Sequence, residues 1–223
     1  MLNKNLILSI LLLFTTYSFA GNINKEKPKY LWFDAEANFE RFSSKDSISY
    51  YLEKAKDVGF NQVVVDVKPI YGEVLYKSKI LPPLTTVHNK VIERDWDYLQ
   101  YFIDEAHRLG LKVTVSTAVF TAGHPATCEG LVYEDKRWNG KTCLEYMSNN
   151  KMLDIRDDKQ KVGAFLNPVR KDVRNFALSI IREIVKNYDI DAYALDYCRY
   201  PADNSDFSNE TRKAFENYLG KKI

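Results

Sequence analysis

Histidine and cysteine are both scarce in this chain, with three of each among 223 residues. His88, His107 and His124 are scattered and no Cys-x-x-Cys pair exists, so the clustered ligands of a zinc site are missing. No glycine-rich GxGxxG or GxxxxGK turn follows any strand-like segment, which removes the usual cradle for nucleotide phosphates. No cofactor is expected. Charge of one sign is also missing: 32 Lys and Arg face 30 Asp and Glu, a net of +2 with no basic cluster. That excludes the electrostatic footprint of a nucleic-acid or anionic-membrane partner.

Only one long apolar run is present, at the start. "MLNKNLILSILLLFTTYSFAGN" has a basic n-region at Lys4, an apolar stretch from Leu6 to Phe14, and the small residues Ser18 and Ala20 around a cleavage point. Residues 1–20 are expected to be a secretory signal peptide, followed by a short polar linker over 21–28. The run falls short of the roughly 20 residues that span a bilayer, so no stable membrane insertion is expected after cleavage. The expected destination is secreted or periplasmic. In such an oxidising place Cys128 and Cys143, which bracket "CEGLVYEDKRWNGKTC", are candidates for a disulfide, and Cys198 is the odd thiol. The rest of the chain, 29–223, contains enough of the 45% hydrophobic residues for one globular domain.

Within 29–223 strand and helix patterns alternate. "KYLWFDAEANF" reads as a strand, and 44–59 as a helix with Ser44 as N-cap and Gly59 as stop. "FNQVVVDVKP" is a second strand, followed by a helix with Trp96, Leu99, Ile103 and Ala106 on one face. "LKVTVSTAVF" is a third. A long polar excursion leads to a helix through Val173, Ala177, Ile180 and Ile184, a fourth strand "IDAYALDYC", and a last helix over 208–220. Valine-rich strands alternating with helices predict an α/β fold with a parallel sheet. Two architectures fit: an open doubly wound sheet, or the first four units of a (β/α)8 TIM-type barrel in a truncated chain or fragment.

The polar residues favour the barrel, whose active sites lie at the carboxyl ends of its strands. Asp34, Glu36 and Asn38 end the first strand on one face by period two, Asp66 and Lys68 the second, and Asp196 and Arg199 the fourth. Asp196 shares its face with Ala192 and Ala194, small residues suited to a crowded barrel interior. Carboxyls at such a mouth, amid aromatics, suit cleavage of glycosidic bonds, which needs one protonated and one ionised carboxyl. Asp196 is the expected catalytic carboxylate, held ionised by Arg199, with Tyr197 and Tyr200 shaping a sugar subsite. Asp34, Glu36, Asp66, Lys68, Tyr71 and His124 are further candidates for substrate binding. Each has a plainer reading: Asp34 and Glu36 can bind strand-end amides, and Asp66 with Lys68 can form a structural ion pair.

"FLNPVRKDVRNFALSIIREIVKNYDIDAYALDYCRYP" (165–201), with "KYLWFDAEANF", "VGFNQVVVDVKPIYGEVLY" and "DEAHRLGLKVTVS" before it, resembles the glycosyl-hydrolase-like family ten. These are secreted bacterial proteins related to the α-amylase-type barrels. The resemblance implies a TIM-barrel glycoside hydrolase with a carbohydrate substrate and a strand-four aspartate, here Asp196, as nucleophile. It also implies a remaining barrel half in a longer chain, carrying the acid/base partner beyond residue 223. Two other functions stay open: a non-catalytic carbohydrate-binding barrel, and a metal-dependent hydrolase or esterase using Asp34, Asp66 and His124.

Overall fold

A computed structural model describes residues 27–223. The expected signal peptide and residues 21–26 of the linker lie outside the described residues. Four strand–helix units follow one another: β1 (Tyr30–Phe33), α1 (Lys45–Asp57), β2 (Gln62–Lys68), α2 (Tyr98–Arg108), β3 (Lys112–Ala118), α3 (Lys171–Asn187), β4 (Ala192–Asp196) and α4 (Asn209–Leu219). The four strands form one parallel sheet in sequential order, β1-β2-β3-β4. A doubly wound sheet reverses its strand order partway; this sheet does not, and it is wound in the barrel manner.

Local chemistry explains the helix limits. The side chains of Ser44, Asp97 and Ser208 accept hydrogen bonds from the amides of Ser47, Gln100 and Thr211, which starts α1, α2 and α4. Because Asp97 is the cap, Trp96 falls outside α2, and Tyr98 and Phe102 take the apolar face instead. Gly110 (φ +69) lets the chain leave α2 and turn straight into β3.

The two faces of the sheet differ in kind. Phe33, Val63, Val65, Val67, Val113 and Val115 join one core with Ile48 and Leu52 of α1, Leu99, Phe102 and Ile103 of α2, and Ile180 and Ile184 of α3. Burying these aliphatic and aromatic groups is the main stabilising term, about 1.5–3 kcal/mol for each fully buried side chain. The opposite face carries small and polar residues in register: Trp32, Val64, Thr114 and Ala192 in one row, Asp66, Ser116 and Ala194 in the next, then Ala118 beside Asp196. The expectation that Asp196, Ala194 and Ala192 share the inward face agrees with this division. The edges are open among the described residues. Tyr30 and Trp32 on β1 and Leu195 on β4 are exposed, and α4 buries none of its residues.

Two expectations need correction here. β1 ends at Phe33, and a turn follows over residues 35–42, so Asp34, Glu36 and Asn38 do not alternate along a strand. The reason is local competition. Asp34 Oδ1 accepts the Ala37 amide at 2.7 Å, and its carbonyl accepts both the amide and the side chain of Asn38, at 3.2 and 2.8 Å. The second concerns the cysteines, all of which are free thiols. Cys143 is buried with Ile155 and Phe165, while Cys128 is exposed on a turn, its sulfur 2.7 Å from Lys159 Nζ. The Cys128–Cys143 disulfide is not formed.

Candidate active site

A cavity of about 340 Å3 opens at the carboxyl ends of the strands. Its walls include Asp34 and Glu36 from the turn after β1, Asp66 from β2, Asp196 and Tyr197 from β4, and His124 from the excursion after β3. A larger cleft of about 520 Å3 lies among residues 74–98 and contains none of these carboxyls.

Asp196 is the last residue of β4. Its carbonyl accepts the Val119 amide at 2.8 Å, tying the strand end to β3's exit, and its Oδ1 accepts the Tyr197 amide at 2.8 Å. Tyr197 adopts φ +45, an unusual conformation for a bulky residue. That left-handed turn directs its amide back onto the preceding carboxylate. The Tyr197 ring meets Phe165 edge-on, with centroids 5.6 Å apart, which holds the turn in place.

Arg199 does not serve Asp196. Its guanidinium lies over the rings of Tyr197 and Phe165, at 5.4 and 5.9 Å, and Nη1 donates to the carbonyls of Tyr200 and Pro201, each at 3.0 Å. The expected ion pair is replaced by a clamp on the loop after β4. Tyr200 is likewise absent from the cavity and packs against the small cluster of Cys143, Ile155 and Phe165.

Lys68 is also not at the rim. It is fully buried, and its ammonium donates to the carbonyls of Ala118 and Thr121 at 2.5 and 2.8 Å, stitching β2 to the exit of β3. It forms no ion pair with Asp66, whose Oδ1 is buried without a hydrogen-bond partner. Burial pushes the Asp66 carboxyl up to about 7, with the charge of Asp34 adding to the shift. The amides of Ala35 and Lys68 and the Lys68 charge oppose it. Glu36 is raised too, first by burial and then by Asp34, with His88 drawing it down.

Tyr71 stands behind the cavity, buried, with its ring stacked on His124 at 5.7 Å. It supports His124 and does not line the cavity itself. Among the described residues no three His, Cys, Asp or Glu side chains are grouped to hold a metal ion, so Asp34, Asp66 and His124 do not form such a site. Sequence reasoning missed Pro69, Ile70, Ala118 and Val162, which supply the apolar wall. Pro69 and Ile70 follow β2, Ala118 ends β3 and Val162 lies in the excursion after it, and no spacing marks them. Outside the cavity lining, Glu73 is pushed up to about 7 by burial and by Glu134 and Glu129.

Residues 29–223 match the family described as Glycosyl hydrolase-like 10. The chain is 35% identical over 204 residues to an S-layer-related protein of Niallia circulans, covering 87% of this chain and 12% of that protein. It is 27% identical over 178 residues to the glycosyl hydrolase DigH of Escherichia coli (strain K12), covering 77% of this chain and 38% of that one. The chain thus spans well under half the length of these curated relatives. Among solved structures, α-L-fucosidase isoenzyme 2 from Paenibacillus thiaminolyticus aligns with a TM-score of 0.56 at 19% identity, over 88% of this chain and 26% of that one. A hypothetical protein from Ruminiclostridium thermocellum ATCC 27405 aligns with a TM-score of 0.52 at 18% identity, over 86% and 88%. At these identities the likeness is one of fold.

Proposed function

Because the chain belongs to the glycosyl hydrolase-like 10 family, we propose that it hydrolyses glycosidic bonds of an oligo- or polysaccharide, with Asp196 as nucleophile or charge-stabilising carboxylate. One observation carries this reading. Asp196 sits at the rigid end of a parallel strand, and its carboxylate faces a cavity that also holds Asp34, Glu36 and Asp66. An oxocarbenium-like transition state develops positive charge, and an ionised carboxylate held beside it stabilises that state more than the ground state.

Each side chain then has a task. The Tyr197 amide aims the Asp196 carboxylate. Asp34, Glu36 and His124 contact sugar hydroxyls, and Tyr197 forms a wall of the subsite. The four units are the first half of an eight-stranded barrel, and the acid/base carboxylate stands on strands that complete it. The open edges of β1 and β4 and the uncovered α4 support this. The signal-like start supports export, to a secreted or periplasmic location.

The test is reducing-end release by the purified natural-length protein on a panel of glycans, beside Asp196→Asn. Hydrolysis by the wild type, lost in the variant, supports the reading. Binding without release by the wild type would favour the non-catalytic alternative.

A further inference from the structure

The nearest cation to Asp66 on its own strand is turned away from it. Lys68 lies two residues on, with a register shift between them, and its ammonium is taken up by the carbonyls of Ala118 and Thr121. Asp66 Oδ1 is left buried with no partner. Beside it in register, Ser116 is fully buried and its Oγ has no partner either. Two unpartnered buried oxygens thus stand side by side on the inward face, and Asp66 forms part of the cavity wall.

We propose that Asp66 is kept as a neutral carboxylic acid in the cavity wall and donates a hydrogen bond to an oxygen of the bound sugar. The inference rests on the glycan-binding part of the function proposed above and assigns the chemistry of one contact. A carboxylate can only accept hydrogen bonds, whereas a carboxylic acid also donates. At this position the site therefore selects a hydroxyl or acetal oxygen able to accept.

Most of the surroundings favour the proton. Asp34, from the turn after β1, raises the cost of a second negative charge. Tyr98 of α2 and Tyr193 of β4 interact with Asp66 and bring no positive charge. Glu36 and Asp196 share the cavity and add further acid, leaving His124 as the one basic side chain on its wall among the described residues. Only Lys68 favours the ionised form, together with the amides of Ala35 and Lys68. Burial outweighs them, and the Asp66 carboxyl gives up its proton at about pH 7.

The test has two arms on the natural-length protein. Infrared difference titration, with no glycan present, should show a neutral-carboxyl band that disappears as pH rises through about 7. Glu73 is also raised to about 7, so the Asp66 band is the part of that signal that Asp66→Asn removes. In the second arm, binding of chitohexaose, maltohexaose and cellohexaose is measured at about pH 5 and about pH 9. A hexasaccharide that binds the wild type should bind more weakly at the higher pH. Asp66→Asn, a neutral isostere that still donates, should bind with the low-pH affinity at both. Asp66→Ala should lose about tenfold; if it does not fold, the Asp66→Asn profile decides alone.

The proposal is overturned if Asp66→Asn removes no part of the band that titrates, if none of the three hexasaccharides binds, or if Asp66→Asn binds as weakly as the alanine variant. Failure of hydrolysis with both arms as expected would fall on the glycosidase reading and leave the role of Asp66 intact.

Discussion

The carboxylate of Asp196 accepts a hydrogen bond of 2.8 Å from the amide of Tyr197, the next residue in the chain, and the left-handed φ of Tyr197, +45, is what aims it. Backbone of this kind costs on the order of 1–3 kcal/mol in a bulky residue and persists where the surroundings hold it. Here the surroundings are Phe165 and the Arg199 guanidinium packed on the tyrosine ring. Tyr197→Gly adopts the same φ freely and keeps the amide. Turnover is expected to stay within about tenfold of wild type. Tyr197→Pro removes the amide and fixes a negative φ, and turnover should fall well below the glycine variant. Equal losses in steady-state assays of the two would show that the amide contact does not matter.

Arg199→Ala tests whether the loop clamp is also an electrostatic partner. The guanidinium is bonded to the carbonyls of Tyr200 and Pro201 rather than to Asp196. The acid limb of the pH–rate profile should therefore stay in place, with a stability loss of about 1 kcal/mol from the lost bonds. A shift of that limb by a full pH unit would restore the ion pair.

Lys68→Met should be among the most destabilising single changes. The variant leaves the Ala118 and Thr121 carbonyls without their donor at the exit of β3. About 2–4 kcal/mol is expected, read as a lower midpoint in urea unfolding. A midpoint within error of wild type would mean that the buried ammonium is dispensable.

Asp66 gives the fold a pH dependence of definite sign. Its folded value is raised from 3.8 to about 7, so its contribution is complete below the unfolded value and is lost as pH rises through the folded one. Wild-type Tm should fall between about pH 4 and pH 7 relative to Asp66→Asn, and the difference should level off above that window. Parallel Tm curves for the two proteins would contradict the assignment.

The three free cysteines should separate by access. Cys128 and Cys198 are exposed and Cys143 is buried. A thiol reagent should modify two cysteines in the folded protein and the third only after unfolding. A single reactive thiol in the unfolded, unreduced protein would reinstate the disulfide.

The alternation of strands and helices was legible because a short valine-rich run marks a strand at Val63, Val64, Val65 and Val67, and period 3.6 marks a helix in Leu99, Ile103 and Ala106. Their burial follows from backbone geometry alone. Caps at Ser44 and stops such as Gly59 were legible for the same local reason. The carboxyls of the cavity were found because strand ends are where this architecture exposes side chains. What failed was direction. Lys68 and Arg199 are long and flexible, and nearness in sequence to an acid said nothing about which carbonyls their donors would find. Asp34 ended its strand by accepting the Ala37 amide at its side chain and Asn38 at its carbonyl, which periodicity cannot see. Cys128 and Cys143 bracket one loop, yet one is buried and the other lies at the surface.

The central claim is that Asp196 does the chemistry and is not merely a strand-end acid. The most direct measurement compares single-turnover hydrolysis and equilibrium glycan binding of wild type and Asp196→Asn in the natural-length protein. The substitution keeps the shape and the Tyr197 contact but removes the charge. The chemical step should slow by orders of magnitude while binding changes little, because the charge matters most in the transition state. Near-normal hydrolysis by Asp196→Asn would contradict it.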